Sequence, residues 1–170
     1  NEKKIFKSKC KVFGNLPYNI STTLIINWIL RFEDDLWFDE MFLMFQKEVA
    51  NRIICSSNSK NYGRLSILAN WRLYCEKIFD IPPSSFFPVP KVDSSLVRIF
   101  PKKKYHKITS LKNLEKITKI FFNQRRKKIK KPMMMIFKNF QDIADKLDLD
   151  LDSRPQNIKP EDYYKLSNLI

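Results

Sequence analysis

The sequence predicts an α/β fold, half of a doubly wound sheet, followed by a small all-helical domain. Three observations carry this. Apolar strand-like runs alternate with amphipathic helical stretches from Ile5 to Leu73. Two sheet-end strands then flank a proline-rich connection. Near Pro101 the composition turns basic and helical. The 170 residues thus divide into 1–104 and 105–170, and a 44% hydrophobic content is enough to fill a core in each part.

Residues 5–13 read as a strand that enters the loop Gly14-Asn15-Leu16-Pro17-Tyr18. Ser21 or Thr22 can cap a helix over 23–31, where Leu24, Ile25, Trp28, Ile29 and Phe32 recur at helical spacing. Glu33-Asp34-Asp35 closes it as a polar loop. The continuous apolar run Met41–Phe45 suits a buried strand of a parallel sheet, and it passes directly into an amphipathic helix over 46–54. A polar loop from Ser56 to Tyr62 ends at Gly63, and the next helix over 64–73 carries Leu65, Leu68 and Ala69 on one face. Cys75–Ile81 and Ser95–Phe100 are the sheet-end strands. Pro82, Pro83, Pro88 and Pro90 in the connection between them fix its backbone and exclude regular structure. Beyond Pro101, Leu111, Leu114, Ile117, Ile120 and Phe121 form a helical stripe that residues 123–128 extend. Pro132 can start a second helix through Phe140, with Met133–Met135 in the core. Ile143, Ala144 and Leu147 suggest a third helix, and Pro160 begins a fourth.

Charge narrows the function. Lys+Arg 32 against Asp+Glu 18 gives a formal +14, for which nucleic acid is the leading partner. Residues 101–131 hold thirteen Lys/Arg against one acid, Glu115. Arg125, Arg126, Lys127 and Lys128 begin a run in which six of seven residues are basic, a density that self-repels unless an anion offsets it. One histidine, His106, and cysteines 10, 55 and 75 without CxxC spacing leave little from which to build a zinc site or a Ser-His-Asp triad. The cysteines read as reduced, mostly buried thiols of a cytoplasmic protein. No apolar run approaches the ~20 residues that span a membrane. Only two glycines occur, Gly14 and Gly63, so no glycine-rich loop can cradle a phosphate or a nucleoside cofactor. Either the protein needs no such loop or it lies ahead of Asn1.

Asn15-Leu16-Pro17-Tyr18 follows the first strand, at the edge where open α/β sheets bind ligands. Asn and Pro here can simply shape a turn. They can also carry chemistry. The exocyclic amine of adenine is a poor nucleophile because its lone pair is delocalised into the ring. An Asn carbonyl and a neighbouring backbone carbonyl can accept both amine hydrogens and hold the nitrogen in line with an electrophile. Proline fixes where those backbone carbonyls point, and tyrosine offers a face for a base taken out of its stack.

Five stretches occur in order: Gly14–Thr23, Gln46–Ala50, Tyr62–Ser66, Pro88–Ser95 and Phe122–Lys127. Together with Arg154–Ile158 they closely resemble the KsgA-type ribosomal RNA adenine dimethyltransferases, from about Lys11 to the C-terminus. The resemblance implies the C-terminal half of a Rossmann-like S-adenosylmethionine-dependent methyltransferase sheet, followed by a helical RNA-binding domain. It implies transfer of two methyl groups from S-adenosylmethionine to each of two adjacent adenines near the 3′ end of small-subunit ribosomal RNA, in the assembling small subunit. Asn15 would orient the amine and lie beside the cofactor. Leu16 and Pro17 would supply backbone carbonyls, and Tyr18 would stack on the target base. Phe86 would contact that base from the opposite side or pack as a core aromatic of the sheet end, with Phe87 the better core candidate. Lys47 would touch RNA phosphate or lie on a solvated helix, and Arg64 would meet phosphate or an internal acid.

Members of this family carry their cofactor loop and ribose-binding acid ahead of the position of Asn1. The chain is therefore expected to be the C-terminal portion of a longer, monomeric enzyme. Alone it is expected to be inactive, to bind S-adenosylmethionine weakly or not at all, and to self-associate through an exposed apolar edge around Val12. Two alternatives stand beside this: the related Erm type, which methylates an adenine of large-subunit RNA, and a non-catalytic RNA-binding or ribosome-assembly factor. A DNA adenine methyltransferase shares the four-residue loop but not the later stretches.

Overall fold

The computed structural model describes residues 8–31 and 36–170, with Leu30 and Arg31 given by backbone alone. The start of the first expected strand, Phe32 and the Glu33-Asp34-Asp35 loop lie outside the described residues. The described elements fall into two compact units, Asn1–Ile54 with Arg72–Tyr105, and Cys55–Trp71 with His106–Ile170.

The first unit is a sheet with helices. It runs β1 (Cys10–Asn15), α1 (Tyr18–Arg31), β2 (Phe38–Gln46), α2 (Lys47–Ile54), β3 (Leu73–Ile81) and β4 (Ser94–Pro101). The strand order is β1-β2-β4-β3. β1 and β2 are parallel, joined through α1, while β4 is antiparallel to both neighbours. The Met41–Phe45 run forms a strand as expected, but it alternates. Met41, Leu43 and Phe45 are wholly buried, while Phe42 and Met44 on the other face are only half-buried. Val97 and Ile99 of β4 and Ala50 and Ile53 of α2 are wholly buried as well. β3 is an edge strand with Glu76, Lys77 and Asp80 outward and a register shift between Lys77 and Phe79, features that discourage edge-to-edge pairing.

The first helix begins earlier than its capping signal suggests. The Pro17 carbonyl accepts from the amides of Ile20 (3.1 Å) and Ser21 (3.0 Å), so α1 opens at Tyr18 rather than at residue 23. Ser21 is buried inside the first turn, its hydroxyl donating back to the Tyr18 carbonyl at 3.2 Å rather than capping the helix. Pro17, whose fixed φ suits the start of a helix, has displaced the hydroxyl cap. Tyr18 is thereby held on a rigid element instead of a loop.

The second unit is helical, with most of α3 (Arg64–Arg72), then α4 (Leu111–Asn123), α5 (Lys130–Ile136), α6 (Phe140–Lys146) and α7 (Pro160–Ser167). Leu114, Ile117, Phe121, Met133, Tyr163 and Leu166 form its core, with Phe121 edge-on to Tyr163 at 5.4 Å. Residues 55–71 group with these helices because Tyr164 donates to the Ile67 carbonyl (2.9 Å) and Asn58 donates to that of Gln156 (2.9 Å). Two expectations change here. α4 stops at Asn123, and the basic residues 125–128 follow as turns instead of extending the helix. Of the three methionines only Met133 is core, Met134 and Met135 being 56% and 63% exposed, because α5 turns a single face inward.

Gly14, next to the candidate site, lies where a side chain would be crowded. A Cβ there would lie 3.0 Å from Cδ2 of the wholly buried Leu43 and 3.5 Å from Cδ2 of Leu16. Gly14→Val is therefore expected to destabilise the fold by about 1–3 kcal/mol through overpacking, read by denaturant titration. A midpoint unchanged from the parent would contradict that assignment.

Candidate active site

The carboxyl end of β1 and the start of α1 form one wall of a cleft of about 320 Å³, lined by Asn15, Leu16, Pro17 and Tyr18. Phe86, Phe87, Pro88 and Pro90 of the proline-rich connection form the other. The sequence-predicted residues 15–18 and Phe86 are thus brought together. Asn15 is exposed at the last residue of β1, and its side chain makes no hydrogen bond among the described residues. Phe86 is half-buried. Phe87, expected in the core, is 100% exposed at the rim. The connection turns through a 3₁₀ helix at Pro83–Ser85, where the amides of Ser85 and Phe86 donate to the carbonyls of Pro82 and Pro83 (3.1 Å each). Four prolines therefore permit one short helical turn, because Pro83 at its start needs no donor. The two phenylalanines that follow the turn differ in exposure.

Two contacts hold the walls in place, and both are long-range. The Tyr18 hydroxyl shares a short hydrogen bond with Oγ of Ser94, a wholly buried residue at the first position of β4. This pins the phenol end of Tyr18 and leaves its ring at the cleft. Lys47, at the start of α2, reaches Asp93 and Asp80, each at 3.1 Å, and its amide donates to the Asp93 carbonyl at 2.9 Å. Asp80 also accepts from Ser95 Oγ (2.7 Å) and pairs with Lys77 (3.1 Å). Lys47 therefore ties both ends of the connection, Asp80 before it and Asp93 after it. The expectation that Lys47 is merely solvated gives way to this pairing. Hydrogen bonds donated to Asp93 and Asp80 raise the Lys47 ammonium above its ordinary value. Those from Ser95, then Lys47 and Lys77, hold the Asp80 carboxyl down to about 2. Sequence reasoning missed Ser94, Ser95 and Asp80, because no local pattern couples positions 47 and 80, or 18 and 94.

In the helical unit the four basic residues singled out have different surroundings. Arg125 is half-buried and engaged, Nε donating to Gln156 Oε1 at 3.2 Å and its terminal nitrogen to the Lys60 carbonyl. Lys128 pairs with Asp152 at 2.9 Å, both side chains largely exposed. Arg126 and Lys127 are exposed. Arg64 opens α3 half-buried, its Nε shielded without a hydrogen-bond partner and with no acid paired to it among the described residues. No cluster of metal-ligating residues occurs among the described residues. No described helix is long and apolar enough to cross a membrane. Cys10, Cys55 and Cys75 form no disulfide and are each only partly buried, with burial pushing the Cys75 thiol up to about 12.

A family model described as ribosomal RNA adenine dimethylase matches residues 2–170. The chain is 54% identical over 166 residues to a "ribosomal RNA small subunit methyltransferase A" of Pelagibacter ubique, covering 98% of this chain and 63% of that protein. It thus spans less than two thirds of that relative's length. A dimethyladenosine transferase structure from Plasmodium falciparum superposes with a TM-score of 0.79 at 28% identity, covering 95% of this chain and 66% of that one. The 23S rRNA methyltransferase ErmE gives a TM-score of 0.65 at 17% identity over 95% of this chain and 65% of that one, a likeness of fold alone.

The fold depresses the Asp80 carboxyl. Its contribution to stability is therefore complete above its ordinary value of 3.8 and is lost as pH falls toward 2. Lys47→Met is expected to raise the Asp80 pKa toward 3.8, read by carboxyl NMR titration. An unmoved Asp80 would mean that Lys47 does not hold it.

Proposed function

The chain belongs to the ribosomal RNA adenine dimethylase family, and from that premise we propose that the whole protein methylates two adjacent adenines near the 3′ end of small-subunit ribosomal RNA. S-adenosylmethionine, when bound, supplies an electrophilic methyl group, transferred with its bonding electron pair left on sulfur. The described residues fit the methyl-acceptor side of such a site. Asn15 presents an unengaged amide at the carboxyl end of β1, and no glycine-rich loop occurs among residues 1–170.

The observation that carries the reading is the cleft that joins Asn15–Tyr18 to Phe86. In it the Asn15 side-chain carbonyl and the Leu16 backbone carbonyl accept the two adenine amine hydrogens and keep the nitrogen lone pair directed at the methyl donor, whereas the Pro17 carbonyl, already engaged by the amides of Ile20 and Ser21, positions the turn instead. Tyr18, anchored by Ser94, and Phe86 hold the flipped base between two rings. After transfer the extra proton on nitrogen leaves to water, so no histidine base is needed.

The surplus of basic residues supports RNA as partner. Exposed Arg126 and Lys127, with Lys128 beside Asp152, supply phosphate contacts on the helical unit, and Arg64 contributes a partly shielded guanidinium. Arg125 acts mainly by holding the 56–62 loop in place for them. Small-subunit RNA is preferred to the large-subunit alternative because the relative at 54% identity is named for the small subunit, whereas ErmE shares only the fold. A cytoplasmic site of action accords with assembling ribosomal subunits as the substrate.

With undermethylated small ribosomal subunits as substrate, Asn15→Ala in the whole protein is expected to lower methyl transfer about 10²–10³-fold without loss of RNA affinity. A non-catalytic assembly factor would show no transfer to lose. Replacing Arg126 or Lys127 by alanine is expected to reduce the slope of log affinity against log salt by about 0.7–0.9 per lost phosphate contact. An unchanged slope would remove these two residues from the RNA interface.

A further inference from the structure

We infer that Phe87 is a stacking platform for the nucleotide next to the target base, so that the cleft reads two neighbouring bases rather than one. The inference rests on the reading of the cleft as a target-base site and adds a second subsite to it. Phe87 lines the same cleft as Tyr18 and Phe86, yet its side chain is 100% exposed. Phe87 is the most exposed large apolar side chain among the described residues, and it stands on a constrained connection. Pro82, Pro83, Pro88 and Pro90 restrict its backbone, the 83–85 turn precedes it, and Lys47 pairs with the residues bounding the connection, Asp80 and Asp93. The ring is therefore presented from a preorganised support, which lowers the entropy lost on binding.

Single-stranded nucleic acid is the occupant that fits. Any base offers a π-face to an exposed ring, and the chain carries a formal +14. A strand whose target base enters between Tyr18 and Phe86 leaves its neighbour at the mouth of the cleft, where Phe87 stands. Phe86 and Phe87 then divide the work. The half-buried ring meets the target base inside, and the exposed ring meets the adjacent base outside.

The test measures binding of the full chain to a single-stranded RNA of about eight nucleotides with two central adenines. Companion strands carry an abasic site at one or other of those adenines. Phe87→Ala is expected to weaken binding of the intact strand about 5- to 20-fold and to leave one of the two abasic strands unaffected. Tyr18→Ala is expected to weaken the intact strand and the abasic strand that Phe87→Ala spares. Phe87→Trp should retain the affinity and Phe87→Leu should not, while thermal midpoints stay at the parent value because the side chain is fully exposed. If Phe87→Ala leaves the intact strand bound as before while Tyr18→Ala weakens it, the second subsite is overturned and the target-base reading stands. If Tyr18→Ala has no effect either, both fail. Equal retention by Leu and Trp would replace stacking with simple bulk and also overturn the inference.

Discussion

The candidate site depends first on one ammonium group. Lys47 leaves the end of β2 at the start of α2 and reaches Asp80 and Asp93 at once. Those two acids bound a connection that carries one wall of the cleft. This tie joins the prolines and the 3₁₀ turn in setting where Phe86 stands opposite Tyr18. The pairs are partly exposed, so their value is positional rather than a large gain in stability. Ser95 and Lys77 add to the same carboxylate, which is why Asp80 stays ionised far into acid.

The opposite wall is set by a different device. Pro17 ends the strand-to-helix turn by offering its carbonyl to two amides of the first helical turn, and so it places Tyr18 on the helix rather than before it. Ser94 then takes the phenol hydroxyl from the far side of the sheet's chain order. Gly14 suits this arrangement, since a Cβ there would crowd the side chain of buried Leu43. Backbone geometry, one proline and one buried serine thus orient an amide and a ring that the sequence supplies side by side.

The helical unit shows how one stretch of like charge can divide its labour. Arg125 spends its guanidinium on Gln156 and the Lys60 carbonyl, binding the 56–62 loop to the helices. Its neighbours Arg126 and Lys127 remain exposed. α4 ends before them, which relieves the repulsion that a continued helix would impose on so many adjacent cations.

Much of this was legible from residue order alone. Hydrophobic period placed the strands and most of the helices, the glycine count left no phosphate loop among residues 1–170, and Asn15–Tyr18 with Phe86 stood out as a candidate site. These are local properties: side-chain spacing, backbone restriction and the chemistry of an amide beside a proline. What the sequence could not decide was which residues meet across long separations. Tyr18 with Ser94, Lys47 with Asp80, and residues 55–71 with the later helices are pairings set by strand order and packing. Nor could it tell Phe86 from Phe87, two identical side chains in a row. Only the tertiary structure separates them, because it half-buries Phe86 against its surroundings and leaves Phe87 wholly in water.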